Sequence, residues 1–138
     1  MSIKTLVDTG PMVALLKRDE EHHAWAVSVF KELPADGMAT CEAVISEACF
    51  LMARWPAVID ALFRRLADGS LELVPLEAES DAIHGLMKKY RNLPASYADA
   101  CLIRLSERNP KATVVTTDSD FSIYRRNKRE ALPLLSPW

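Results

Sequence analysis

The chain has 138 residues, 49% of them hydrophobic and 26% charged, and a formal net charge of −2. That length suits one domain over 1–138 with a real core, and the composition excludes a disordered chain. The charge carries no bulk signal for nucleic acid, so only a local basic patch would serve there, and no apolar run approaches the ~18 residues of a membrane span.

Residues 3–7 are a β-rich run that stops at Asp8-Thr9-Gly10-Pro11, a turn into a helix with Pro tolerated in the first turn. Residues 12–17 read as that helix. Trp25, Val29, Phe30 and Leu33 mark a second, amphipathic helix ended by Pro34. A very short strand is expected at 37–40. Residues 42–55 are apolar on almost every side and predict a buried helix. Pro56 restarts the chain into a helix over 58–67, closed by Asp68-Gly69-Ser70, and 71–74 is a third strand. Helices follow over 78–90 and 97–108, then a fourth strand over 113–117 and a short helical turn at Asp118-Ser119-Asp120-Phe121. Residues 132–135 supply a fifth strand, at an edge because of Pro133. Short strands alternating with helices indicate an α/β fold, a parallel sheet covered on both faces. Ligands of such sheets bind beyond the carboxyl ends of the strands, where the strand order reverses.

Four acids stand inside or beside apolar stretches: Asp8 after the first strand, Glu47 in the apolar helix, Asp99 ahead of Ala100-Cys101-Leu102-Ile103, and Asp118 after the fourth strand. Carboxylates are rarely buried unless they are paired or bind a metal. Each has a bland reading. Asp8 caps a helix, Glu47 pairs with Arg54, Ser96-Tyr97-Ala98-Asp99 resembles a capping box, and Asp118 and Asp120 cap the turn around Phe121. One shared site explains all four at once. Oxygen-only ligands point to a hard cation, Mg²⁺ or Mn²⁺, over zinc. His22 and His23 beside Asp19-Glu20-Glu21 read as a solvated helix entry, and His84 as part of an amphipathic face. No Ser-His-Asp or Cys-His constellation and no glycine-rich phosphate loop is present, which favours metal-activated water over covalent catalysis. Cys41, Cys49 and Cys101 are odd in number, lack CxxC spacing and read as buried thiols of a reducing compartment. The N-terminus shows no signal-peptide h-region, so a cytoplasmic protein is expected.

Val7-Asp8-Thr9-Gly10-Pro11, Ser46-Glu47-Ala48, Tyr97-Ala98-Asp99-Ala100 and Val115-Thr116-Thr117-Asp118-Ser119-Asp120-Phe121, in that order and spacing, resemble the PIN-domain family, and more narrowly the VapC-type toxin endoribonucleases. The resemblance implies a three-layer α/β/α fold with a parallel sheet in the order 3-2-1-4-5. It matches Asp8, Glu47, Asp99 and Asp118 to the family's acidic quartet and Asp120 to an accessory acidic position. Asp8 and Asp118 are then the expected direct metal ligands, Asp99 a ligand directly or through water, and Glu47 the acid that orients a water or holds a second ion. Many relatives carry Ser two residues after the first Asp; here Gly10 offers no hydroxyl, leaving Thr9 or Thr117 to orient a ligand or water. The implied reaction is hydrolysis of RNA to a 5′-phosphate and a 3′-hydroxyl. The implied partners are an antitoxin covering the cleft and a second copy, joined through helices of the apolar N-terminal half.

Acids that bind metal also repel RNA, so a basic flank is required. Arg64-Arg65 and Lys88-Lys89 with Arg91 are available, and Arg125-Arg126 with Lys128-Arg129 is the best placed, following Asp118 and Asp120 closely. Two other functions compete: a catalytically silent PIN-like binding module, and a structure-specific DNA nuclease using the same acids.

Overall fold

The structure is a computed structural model describing residues 2–138. The chain runs β1 (Thr5–Val7), α1 (Thr9–Leu16), α2 (His23–Glu32), β2 (Met38–Thr40), α3 (Glu42–Leu51), α4 (Pro56–Ala67), β3 (Glu72–Leu73), α5 (Ser80–Lys89), α6 (Tyr97–Arg108), β4 (Thr113–Val115), β5 (Arg125–Arg126), β6 (Glu130–Ala131) and β7 (Leu134–Leu135). Five strands form one parallel sheet in the order β3-β2-β1-β4-β7. With β7 as its fifth member, this is the expected order 3-2-1-4-5. Thr5, Leu6 and Val7 are buried at the centre, as a parallel strand covered on both faces must be.

The chain steps outward from β1 to β2 to β3, then crosses back to β4. Crossovers of this kind are right-handed as a rule, which sends the helices before and after β3 toward opposite faces, and α3 also meets α6. α1 packs on α2, α3 and α4, while α6 packs on α5, β1 and β4. The strand order reverses between β1 and β4, so the carboxyl ends of these two neighbours flank the crevice.

Three features differ from the sequence reading. α3 is not buried on all sides: Val44, Ile45 and Ala48 face the core, while Phe50 is 81% and Leu51 50% exposed. One i, i+4 stripe suffices to dock a helix, and apolar content alone does not say what covers the other face. The fourth strand ends at Val115, although the Thr116 amide still donates to the Leu135 carbonyl at 3.1 Å. Lastly, β5 and β6 form an antiparallel hairpin that the charged run Arg125-Arg126-Asn127-Lys128-Arg129-Glu130 conceals. Its turn has Asn127 and Lys128 at positive φ and contains no glycine, so the usual hairpin signal is missing.

Candidate active site

Asp8 is the N-cap of α1, where its Oδ1 accepts from the Thr9 amide at 2.8 Å. Its Oδ2 accepts from the Thr116 hydroxyl at 2.7 Å, and that same hydroxyl oxygen accepts from the Asp118 amide at 3.0 Å. Thr116 thus ties the ends of β1 and β4 together through one side chain. Asp8 is only 6% exposed. Burial pushes its carboxyl up to about 7, and the charges of Asp99 and Asp118 push the same way. The Thr116 and Thr9 hydrogen bonds oppose them.

Asp99 stands in the first turn of α6, in a complete capping box: its amide donates to Ser96 Oγ at 3.0 Å and its Oδ2 accepts from the Ser96 amide at 3.3 Å. The same Oδ2 accepts from the Tyr124 hydroxyl at 2.9 Å. Burial raises the Asp99 carboxyl, and the charge of Asp118 adds to the rise. Tyr124 is fully buried, and burial together with Asp99, Asp120 and Asp118 holds its phenol protonated, as a donor. Asp118 Oδ1 caps the 3₁₀ turn Ser119–Ser122 by accepting from the Asp120 amide at 2.9 Å. The bland readings of Asp8, Asp99 and Asp118 as caps are therefore present in the geometry. They coexist with the clustering, because the caps are what hold three carboxylates at one end of the sheet.

Glu47 stands apart. It lies on the exposed face of α3, without the buried stripe the sequence suggested, and no ion pair joins it to Arg54 among the described residues. Asp120 is half-buried, with its backbone rather than its carboxylate tied to Asp118.

Among the described residues no three His, Cys, Asp or Glu side chains are gathered tightly enough to enclose an ion. The three acids lie within electrostatic reach of one another, each held on its own cap. The chemistry of the donor set nevertheless fits a hard cation. The donors are carboxylate oxygens, two of them on groups raised by burial and by neighbouring acids, and none of the ion pairs among the described residues involves Asp8, Asp99 or Asp118. A cavity of about 500 Å³ lies elsewhere, against Gly37, Met38 and Leu71.

The basic segment divides in two. Arg126 is 4% exposed, with its guanidinium on Glu130, on the carbonyl and hydroxyl of Ser106 and on the Pro110 carbonyl. It is a structural clamp, and its expected contact with RNA is corrected accordingly. Arg125 turns its Nη1 back onto the carbonyls of Ser122 and Tyr124. Lys128 and Arg129 remain exposed at the hairpin turn, and Lys89 donates to the Lys128 carbonyl at 2.9 Å. The basic end of α5 and the hairpin turn therefore form one ridge.

Sequence reasoning missed Thr116 and Tyr124. Thr116 had a signal, a hydroxyl two residues before the Asp that follows a strand. Tyr124 had none, because its contact with Asp99 spans 25 residues.

The PIN domain family model matches residues 5–127, a span holding Asp8, Glu47, Asp99, Asp118 and Asp120. The chain is 30% identical over 116 residues to Ribonuclease VapC26 of Mycobacterium tuberculosis, covering 82% of this chain and 85% of that protein. Its fold is similar to that of Mycobacterium tuberculosis VapC20, a sarcin–ricin loop cleaving toxin. The TM-score is 0.72 at 22% identity, over 87% of this chain and 94% of that one. On the strength of that family match, the relative and a parallel sheet that reverses where the acids gather, this chain belongs to the PIN-domain family, in its VapC-type branch.

Proposed function

We propose that the protein is a cytoplasmic, Mg²⁺- or Mn²⁺-dependent endoribonuclease, the toxin of a type II toxin–antitoxin pair. The observation that carries this reading is Asp8, a buried carboxylate beside two further acids and paired with no basic side chain among the described residues. A relative named a ribonuclease supports RNA as the substrate.

Asp8, Asp99 and Asp118 would hold the cation, with Asp120 as an accessory acid and Glu47 ordering a water or a second ion. Such an ion, when bound, supplies a more acidic water and polarises a phosphoryl oxygen. The chain's own part is positioning. Thr116 and the Thr9 amide orient both oxygens of Asp8. Tyr124 orients one oxygen of Asp99. Since the Asp8 carboxyl sits near 7, cation binding must displace a proton from it below that pH. The exposed ridge of Lys88, Lys89, Lys128 and Arg129 offsets the repulsion between the acids and an RNA backbone.

The exposed side chains of Phe50, Leu51, Trp55 and Phe63 on α3, the turn after it and α4 supply an apolar surface suited to a homodimer. An antitoxin segment over the crevice completes the assembly.

Purified protein incubated with RNA and with DNA oligonucleotides, each with Mg²⁺, Mn²⁺ or a chelator, tests the reading. Cleavage of RNA that requires metal is expected. Cleavage of neither nucleic acid by well-folded protein refutes it, and cleavage of DNA alone makes the protein a DNA nuclease.

A further inference from the structure

The first turn of α1 approaches the end of β4 at one point. A Cβ built on Gly10 would lie 2.0 Å from Thr117 Oγ1, 3.3 Å from Thr117 Cβ and 3.6 Å from its Cγ2. The hydroxyl, and not the methyl, therefore occupies the space that any side chain at residue 10 would need. Only glycine permits this approach, and the reason is contact, since Gly10 is not at positive φ.

The place is chemically informative. Gly10 is two residues past Asp8, and Thr117 stands between Thr116, which holds Asp8, and Asp118. Thr117 is half-buried, its carbonyl accepts from Trp138 Nε1 at 3.3 Å, and its hydroxyl makes no hydrogen bond among the described residues. Thr9, the other hydroxyl beside Asp8, is 3% exposed with its Oγ1 lacking a partner, so it is sealed from anything entering the crevice. The hydroxyls of Thr116 and Tyr124 are already committed to Asp8 and Asp99. The Thr117 O–H, with no acceptor among the described residues and next in the chain to Asp118, is a side-chain donor available to an anion.

We infer that Thr117 is a positioning residue for the substrate: its hydroxyl, housed by the missing side chain of Gly10, donates to a non-bridging oxygen of the scissile phosphate. This rests on the nuclease reading above. Donors aimed at charge that develops during reaction act mainly on kcat, and losing one typically costs about 10²–10³-fold.

The test uses the full chain and a short single-stranded RNA. Thr117→Val replaces the hydroxyl by a methyl of similar size, Thr117→Ser keeps the hydroxyl, and Gly10→Ala pushes it aside. Expected for Thr117→Val is a fall in kcat of about 100-fold, with the Mn²⁺ dissociation constant by calorimetry and the Tm both unchanged. Thr117→Ser should stay within about tenfold of wild type, and Gly10→Ser combined with Thr117→Ala should recover part of the loss by returning a hydroxyl from the other side. The contact is checked without activity by melting: Gly10→Ala should lower Tm in wild type but not in the Thr117→Ala background. Wild-type kcat in Thr117→Val, Thr117→Ser as poor as Thr117→Val, or a weaker Mn²⁺ affinity that accounts for the whole loss would each overturn the assignment. So would an equal melting penalty in both backgrounds. If wild type cuts RNA while Thr117→Val does too, only this inference fails; if wild type binds no Mn²⁺ and cuts nothing, the nuclease reading fails and takes it along.

Discussion

Replacing Asp8 by Asn should change stability with a sign set by pH. Burial and neighbouring acids raise the Asp8 carboxyl from 3.8 to about 7, so the folded chain holds that proton more tightly than the unfolded chain does. Its contribution to folding is therefore fully present below pH 3.8 and is lost as the pH rises through about 7. Three pKa units at 1.36 kcal/mol each amount to roughly 4 kcal/mol, of which about 3 kcal/mol falls between pH 5 and 8.5. The Asp8→Asn variant escapes that loss. Its amide keeps an oxygen for the Thr9 N–H but turns an N–H toward Thr116, forfeiting a hydrogen bond worth about 1 kcal/mol. In chelator the variant should match wild type near pH 5 and exceed it by roughly 3 kcal/mol at pH 8.5. Mn²⁺ at about 1,000 times its dissociation constant should add about 4.1 kcal/mol to wild type alone and reverse the order. Urea unfolding followed by tryptophan fluorescence, at several pH values with and without Mn²⁺, measures all three quantities. A difference that does not vary from pH 5 to 8.5 refutes the reasoning, because Asp8 would then ionise like an exposed carboxylate. A variant weaker at every pH would reduce Asp8 to a helix cap.

Tyr124→Phe removes the donor to Asp99 and should cost about 1.5–3 kcal/mol in the same assay at pH 7.5, the range for a hydrogen bond to a charged group. Arg126→Met should lower stability by about 2–3 kcal/mol by orphaning the Ser106 and Pro110 carbonyls, with any loss of RNA binding following from unfolding. Lys128→Ala with Arg129→Ala should instead leave Tm unchanged, weaken RNA binding by anisotropy, and reduce the salt slope by about one to two; an unchanged slope would remove this ridge from the RNA path. Phe50→Glu places a charge on the most exposed large apolar side chain, and sedimentation should then report a monomer where wild type sediments as a dimer. Dimers of both proteins would put the interface elsewhere.

Strand and helix order and the parallel sheet were legible from local information. Asp8 and Asp118 each directly follow a run of β-formers, and strand ends at an order reversal are where α/β folds gather ligands. The helix over 42–55 shows where such reasoning stops. Its composition says that apolar surface exists, and only packing shows that Val44 and Ala48 take the core while Phe50 and Leu51 face outward. Glu47 consequently needs no buried partner, contrary to the expectation from its neighbours. The run from Arg125 to Glu130 misleads in the opposite direction. It reads as a solvated charged stretch, yet Arg126 is buried because a hairpin without glycine turns it onto the end of α6.

By itself the sequence determined what repeats at short range: the periodicity of the elements and the caps that Asp8, Ser96 and Asp118 provide. The tertiary structure alone decided what depends on distant segments coming together. Thr116 reaches Asp8 across 108 residues, Tyr124 reaches Asp99 across 25, and the Thr117 hydroxyl settles into the space left by Gly10. A pattern within one segment sets which faces are apolar and where helices begin. The raised proton affinity of Asp8 arises from burial and from charges brought by two other segments, quantities that exist only after the sheet has closed around them.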